Sequence, residues 1–188
     1  MAEKNGIGFV GSVIVDCVYE VIDPGALVYS DGGIYLTGDD YESENVQFST
    51  GGMGLNDSID CKKMGVPYPL KVVGKIGNDS NGKLIRESLR RNGISDSYLL
   101  ETPDEPTSVT HVYYVKDSQG NVNRAFRHYF GAMGSFSPED IDYSVLGDLK
   151  IAIVGYCLLL PVFDRPDDHY GAAIGKTLER LREMGVVT

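Results

Sequence analysis

An α/β fold built on a mostly parallel sheet follows from three features of this 188-residue sequence. Apolar, β-branched runs at 8–18, 69–77 and 150–156 have the length and composition of buried strands. Segments with helical spacing and helix-end signals lie between and after them, at 54–65, 79–93 and 167–184. After the last of these, VVT reads as the first residues of a further parallel strand, as an alternating α/β order requires.

The elements follow in order. GFVGSVIVDCV (8–18) reads as one central strand ending at Asp16. The stretch from Pro24 to Ser49, rich in glycine, tyrosine and acid, holds only short apolar patches such as GIYLTG, which fit exposed strands outside the main sheet. A helix opens near Gly54, turns Leu55, Ile59 and Met64 inward and stops at Gly65. PLKVVGKIG is the next strand, and DSNGKLIRESLRRNG a helix with Leu84, Ile85 and Leu89 on one face, stopping at Gly93. TSVTHVYYV and VNRAFRHYF flank the turn KDSQGN as a hairpin. SPEDID opens a further helix with Ser137 as cap and Pro138 at its first position. KIAIVGY is a buried strand, and 167–184 a helix with Tyr170, Ala173, Ile174, Leu178, Leu181 and Met184 along one stripe.

Composition narrows the function classes. Hydrophobic residues at 42% and charged residues at 23% are ordinary globular values, so a folded core is expected. The net charge of −10 disfavours nucleic acid and anionic membrane, both polyanions, as partners. Cys17, Cys61 and Cys157 are odd in number and widely spaced, and no basic, apolar leader precedes them, which reads as a reduced cytoplasmic protein. The longest apolar stretch, 151–163, is broken by glycine and proline and too short to span a bilayer.

Two glycine motifs compete for chemistry. GIGFVG (6–11) fits G-x-G-x-x-G, but strand formers follow it where a dinucleotide site needs a helix. STGGMGLN has the better context, with a strand-like QFS before it and a helix after it. Gly51, Gly52 and Gly54 suit either an ordinary helix-start turn or a bare backbone against which a small polar ligand sits, with helix N-terminal amides and Asn56 as hydrogen-bonding groups. Asp16, at the expected carboxyl end of the first strand, is either a turn aspartate or a carboxylate that accepts from two neighbouring hydroxyls of a sugar.

Taken together, GSVIVD, STGGMGLNDSIDCKKMG, VVGKIGNDSNGKLIRESLRRNGI, TSVTHVYYVKDSQGNVNRAFRHYFGA and SPEDID resemble, in order and spacing, the N-terminal part of the ribokinase-like (PfkB) carbohydrate kinases. The resemblance implies a three-layer α/β sandwich, incomplete here, with core segments 1–17, 51–106 and 131–188 and a small β lid at 18–50 and 107–130. It implies that Asp16, Gly51, Gly52, Gly54 and Asn56 hold a sugar or nucleoside, with Thr110 and Val112 touching it from the lid. It also implies transfer of the γ-phosphoryl group of ATP with Mg, and a homodimer formed through the lid. The family's catalytic aspartate belongs to a G-A-G-D element that residues 1–188 lack, so the general base is expected beyond Thr188. LTGDD (36–40) and KIGND (75–79) match other parts of the family pattern. Met133 stands where the family has asparagine, and GYCLLLP lacks the glutamate that ribokinase carries nearby, which argues against ribose. A short, inactive sugar-binding or regulatory module that pairs through its lid is the alternative.

Other candidates read as structural. Cys157 with His128 or His169 has no metal-ligand spacing. Lys83, Arg86, Arg90 and Arg91 share a helix surface with Glu87 at pairing distance, which reads as a solvated face.

Overall fold

The computed structural model describes residues 4–22, 27–30, 33–36, 46–116 and 119–188. Its elements in chain order begin with strands β1 (Gly6–Gly11), β2 (Ile14–Ile22), β3 (Leu27–Ser30), β4 (Gly33–Leu36) and β5 (Val46–Gly51). Helix α1 (Met53–Lys63), strand β6 (Leu70–Gly77), helix α2 (Ser80–Arg91) and strand β7 (Leu99–Thr102) follow. Then come β8 (Val109–Lys116), β9 (Val122–Tyr129), α3 (Gly131–Ser135), β10 (Leu149–Gly155), β11 (Pro166–Asp167), β12 (Gly171–Ala172) and α4 (Ile174–Glu183). The chain divides into two compact units, one of Met1–Val15, Thr50–Ser108 and Phe130–Thr188, the other of Asp16–Ser49 and Val109–Tyr129.

The first unit carries a parallel sheet in the order β10-β1-β6-β7, with Phe9 opposite Val72 on one side and Ile153 on the other. Its core gathers Phe9, Val10, Leu55, Val72, Val73, Ile76, Ile85, Leu89, Leu149 and Leu181, all buried. Each covering helix buries a narrow apolar stripe: Leu55 with the partly buried Ile59 from α1, and Ile85 and Leu89 with the partly buried Leu84 from α2. Both helices end where Gly65 and Gly93 take a left-handed φ, of +77° and +66°. Beyond α4, Val187 pairs with Ile151 in an isolated parallel bridge, so VVT lies beside β10 in the expected direction.

The run 8–18 is two strands. β1 stops at Gly11, whose φ is +141° and which lies so close to β10 that an added Cβ would stand 1.8 Å from the Gly155 carbonyl oxygen. Only glycine fits there, and the chain leaves the sheet through Ser12 and Val13 to start β2. Asp16 is therefore the third residue of β2 and does not stand at the tip of a core strand.

Four further expectations change. Met64 is 73% exposed instead of turned inward. SPEDID forms one 3-10 turn, Pro138–Asp140, with the Asp140 carboxylate accepting from the Ser137 N–H at 2.9 Å. The backbone of Ile141 is extended there, which buries Ile141 and lets Asp142 cap a second turn, Tyr143–Leu146. The last helix starts at Ile174, not at 167, because the Asp167 carboxylate collects the His169 and Tyr170 N–H groups and Gly171 turns at φ +80° into the β11–β12 hairpin. In β10, Ile151 and Ile153 are 39% and 40% exposed, so this strand is covered on one face and not on both.

The second unit holds a sheet in the order β5-β2-β8-β9 and a hairpin of β3 with β4. β8 and β9 are antiparallel, with Thr110 opposite His128, Val112 opposite Phe126 and Tyr114 opposite Arg124. Of the expected turn KDSQGN, residues 117–118 lie outside the described residues, as do 37–40 of LTGDD.

Where the chain passes between units, the first unit holds the crossings together. The Val15 N–H donates to the Ser108 carbonyl at 3.0 Å, the Ser108 hydroxyl donates to the Phe130 carbonyl, and the Met133 N–H donates to the Ser108 hydroxyl at 3.2 Å. At the fourth crossing, the Thr50 and Ser88 hydroxyls bond at 2.9 Å.

Candidate functional site

The site residues expected from the sequence fall into two groups, one in each unit. Gly51, Gly52, Gly54 and Asn56 cluster at the head of α1 in the first unit. Gly52 is the N-cap, with φ +86° and ψ 155°, a conformation that L side chains avoid. A Cβ on Gly52 would stand 2.6 Å from the Ser12 carbonyl oxygen, and one on Gly54 would stand 3.1 Å from the same atom and 3.2 Å from Val13. The Gly54 N–H donates to that carbonyl at 2.9 Å. So Gly52 and Gly54 meet the Ser12–Val13 connection, and one of the amides at the helix head is already bonded within the protein. Gly51 is buried at the end of β5, and Asn56 presents an exposed side chain while its N–H closes on the Gly52 carbonyl at 2.9 Å.

Asp16, Thr110 and Val112 belong to the second unit. Strand alternation sorts this sheet into two faces. On one face the rings of Tyr19, His111 and Tyr113 stack, with the Tyr19 hydroxyl 3.1 Å from His111 Nδ1 and the two tyrosine centroids 4.8 Å apart. Asp16, three residues before Tyr19, falls on the opposite face, which also carries Thr110 and Val112 of β8 and Phe126 and His128 of β9. Thr110 Oγ1 lies 2.9 Å from His128 Nδ1. Burial pushes the Asp16 carboxyl above its ordinary range, and the charge of His128 partly offsets this. The Asp16 carboxylate is half-buried and desolvated, with no hydrogen-bond donor among the described residues.

His128 is the residue that the sequence reading left out of this group. The sequence predicts the hairpin without a register, and the observed pairing sets Thr110 opposite His128. A shift of one residue exchanges the two faces of a strand, so without the register the face that His128 shares with Asp16 was hidden.

The remaining polar clusters are structural. Asp79 caps α2, accepting from the Gly82 N–H and from both the N–H and hydroxyl of Thr107, at 2.7–2.8 Å. Arg86 and Arg90 converge on Asp96, and Arg91 pairs with Glu87. Met133 is buried, its sulfur accepting from the Lys75 N–H at 3.2 Å. Cys157 is exposed, and among the described residues no three His, Cys, Asp or Glu side chains converge as a metal site.

Known proteins place this architecture. A ribokinase of Arabidopsis thaliana is 31% identical over 87 residues, which is 45% of this chain and 22% of that protein. A ribokinase of Haemophilus influenzae is 24% identical over 119 residues, 63% of this chain and 35% of that one. The structure of the Arabidopsis thaliana ribokinase complexed with ribose and ATP superposes with a TM-score of 0.63 at 24% identity, over 80% of this chain and 45% of that one. That likeness shows the ribokinase-like fold, and the chain spans less than half the length of each of these proteins. The profile of the pfkB family carbohydrate kinase matches residues 10–151, from the pinched end of β1 to the start of β10. A parallel sheet left through a glycine, a hairpin-bearing second unit and a glycine-headed first helix thus have one source: this chain belongs to the pfkB family of carbohydrate kinases.

Proposed function

We propose that this chain supplies the sugar-binding part of an ATP-dependent carbohydrate kinase, which moves the γ-phosphoryl group of ATP to a hydroxyl of a sugar or nucleoside. The observation that carries the reading is Asp16, a half-buried carboxylate with no donor among the described residues. Two vicinal hydroxyls would satisfy it, and charged hydrogen bonds of this kind are strong. Thr110 and Val112 border Asp16 on the lid face, and Gly51, Gly52, Gly54 and Asn56 contribute from the head of α1. The close contacts of Gly52 and Gly54 with Ser12 give these two a second task, holding the helix head near the chain that leads to Asp16.

ATP and Mg do not fit the residues described here. The Gly54 amide is bonded to Ser12, and no carboxylate cluster converges among the described residues. In the proposal the phosphate site, the metal and the general base come from sequence beyond Thr188. The second unit serves as the lid and, through exposed aromatics such as Phe48 and Tyr129, as the contact of a homodimer in the cytoplasm. Among the described residues no helix is long and apolar enough to cross a membrane.

Calorimetry of the 188-residue chain against a panel of ketoses, aldoses, deoxygluconates, sugar phosphates and nucleosides tests the reading. One class should bind, and Asp16→Asn should weaken it by about 10- to 100-fold, the loss expected for charged hydrogen bonds. A panel without any binder, or an Asp16→Asn chain that binds unchanged, overturns the reading. The second reading is an inactive sugar-binding or regulatory module that pairs through its lid. Phosphotransfer by the full reading frame discriminates: activity that depends on downstream sequence supports the kinase, and sugar binding without turnover supports the module.

A further inference from the structure

The chain has three histidines, and the two on the β8–β9 hairpin are used differently. His111 is closed into the stack with Tyr19 and Tyr113, and its Nδ1 bonds the Tyr19 hydroxyl. His128 lies on the other face and is exposed, on an edge strand whose side chains are all exposed. Its Nδ1 is taken by Thr110, and among the described residues its Nε2 has no hydrogen-bond partner. Its ring lies parallel to that of Phe126, with centroids 6.1 Å apart and planes within 2°. Phe126 is itself 53% exposed, with the Arg124 guanidinium 5.8 Å from its centroid.

His128 and Asp16 share this face, on β9 and β2 with β8 between them, and among the described residues they form no ion pair. A ligand that reached both would meet an acceptor at Asp16 and an imidazole nitrogen at His128, and so would both give a hydrogen bond and take one. A hydroxyl does both; an ammonium only donates and a carboxylate only accepts. Because the Thr110 bond occupies Nδ1, the ring is held in orientation and Nε2 is the nitrogen left to meet a ligand. The stacked Phe126 ring beside it offers an apolar surface suited to the C–H side of a sugar.

We propose that His128 is a specificity-determining residue of the carbohydrate site, its Nε2 bonding the ligand oxygen next to the one whose proton Asp16 accepts, with Phe126 flooring the sugar's apolar side. The proposal rests on the carbohydrate reading above and adds a residue to it. Thr110 is the positioning residue, acting through the histidine ring. The ligand so defined carries adjacent hydroxyls on one edge and a C–H face next to them.

Histidine proton NMR of the 188-residue chain, titrated with the same carbohydrate panel, provides the test. The His128 ring resonances should move on saturation by the binding sugar while those of His111 and His169 stay in place. His128→Ala should lower affinity about 10-fold or more, the equivalent of one ligand hydrogen bond, and His128→Gln, which keeps a donor, should recover part of it. Both substitutions fall on an exposed edge position, and an unchanged thermal midpoint checks the fold. If the wild-type chain binds a sugar, Asp16→Asn loses it and His128→Ala keeps it within about 2-fold, the role of His128 is overturned while the carbohydrate site stands. If the wild-type chain binds nothing in the panel, both readings fall.

Discussion

Gly52 and Asp79 show how single residues hold the frame of this protein. Gly52 combines a backbone conformation closed to other residues with a contact that leaves no space for a side chain. Gly52→Ala should cost about 2–3 kcal/mol, from backbone strain and from separating α1 and Ser12, and denaturant unfolding would read it as a lower midpoint at unchanged slope. Asp79 joins the cap of α2 to Thr107, just before the crossing into β8. Burial pushes its carboxyl up, but the hydrogen bonds from Gly82, Thr107 and Asn81 outweigh this and hold it below its ordinary 3.8. The unfolded chain therefore binds the proton more readily than the folded one. The stability contributed by Asp79 is present above pH 3.8 and is lost as pH falls through the lower, folded value. Asp79→Ala should destabilise the protein by about 2–3 kcal/mol at neutral pH and flatten stability against pH in that acidic window. An unaltered acid limb would show that these bonds contribute nothing. Glycine needs at 52 and 54 were legible in sequence; what they pack against was not, because Ser12 lies in a connection that the pattern read as unbroken strand.

At the scale of elements, local signals worked where one residue type decides the geometry. Gly65 and Gly93 end their helices at left-handed φ, and the spacing of Leu84, Ile85 and Leu89 gave the buried stripe of α2. Boundaries set by contact distant in sequence were not legible. The break after Gly11 depends on Gly155, far along the chain, and the late start of α4 depends on Asp167 outcompeting helix propensity for two N–H groups. The hairpin was legible but its register was not, and with the register went the partner of Thr110. Edge strand β9 bears on stability in a way that can be measured. All its side chains are exposed, while β1 and β6 lie inside the sheet of the first unit and contribute much of its core. Amides of β9 should exchange with deuterium at least about tenfold faster than those of β1 and β6, since a strand with few buried apolar contacts opens locally at low cost. Equal protection across the three strands would refute this distribution of stability.

For the whole molecule, the family was readable because its motifs keep order and spacing along most of the chain, and the profile match over residues 10–151 agrees. The solvent pattern of β10 was not readable, since a sequence of apolar residues does not say which face has a cover. Ser108 has a wider meaning in this frame. Three of the four passages between the units meet at its carbonyl and hydroxyl, so the strands between them enter and leave through one small knot. The second unit is thus a cassette: its loops and strands can be exchanged, lengthened or re-tuned while the sheet that anchors them keeps its own sequence requirements, and variation in one need not be matched by variation in the other.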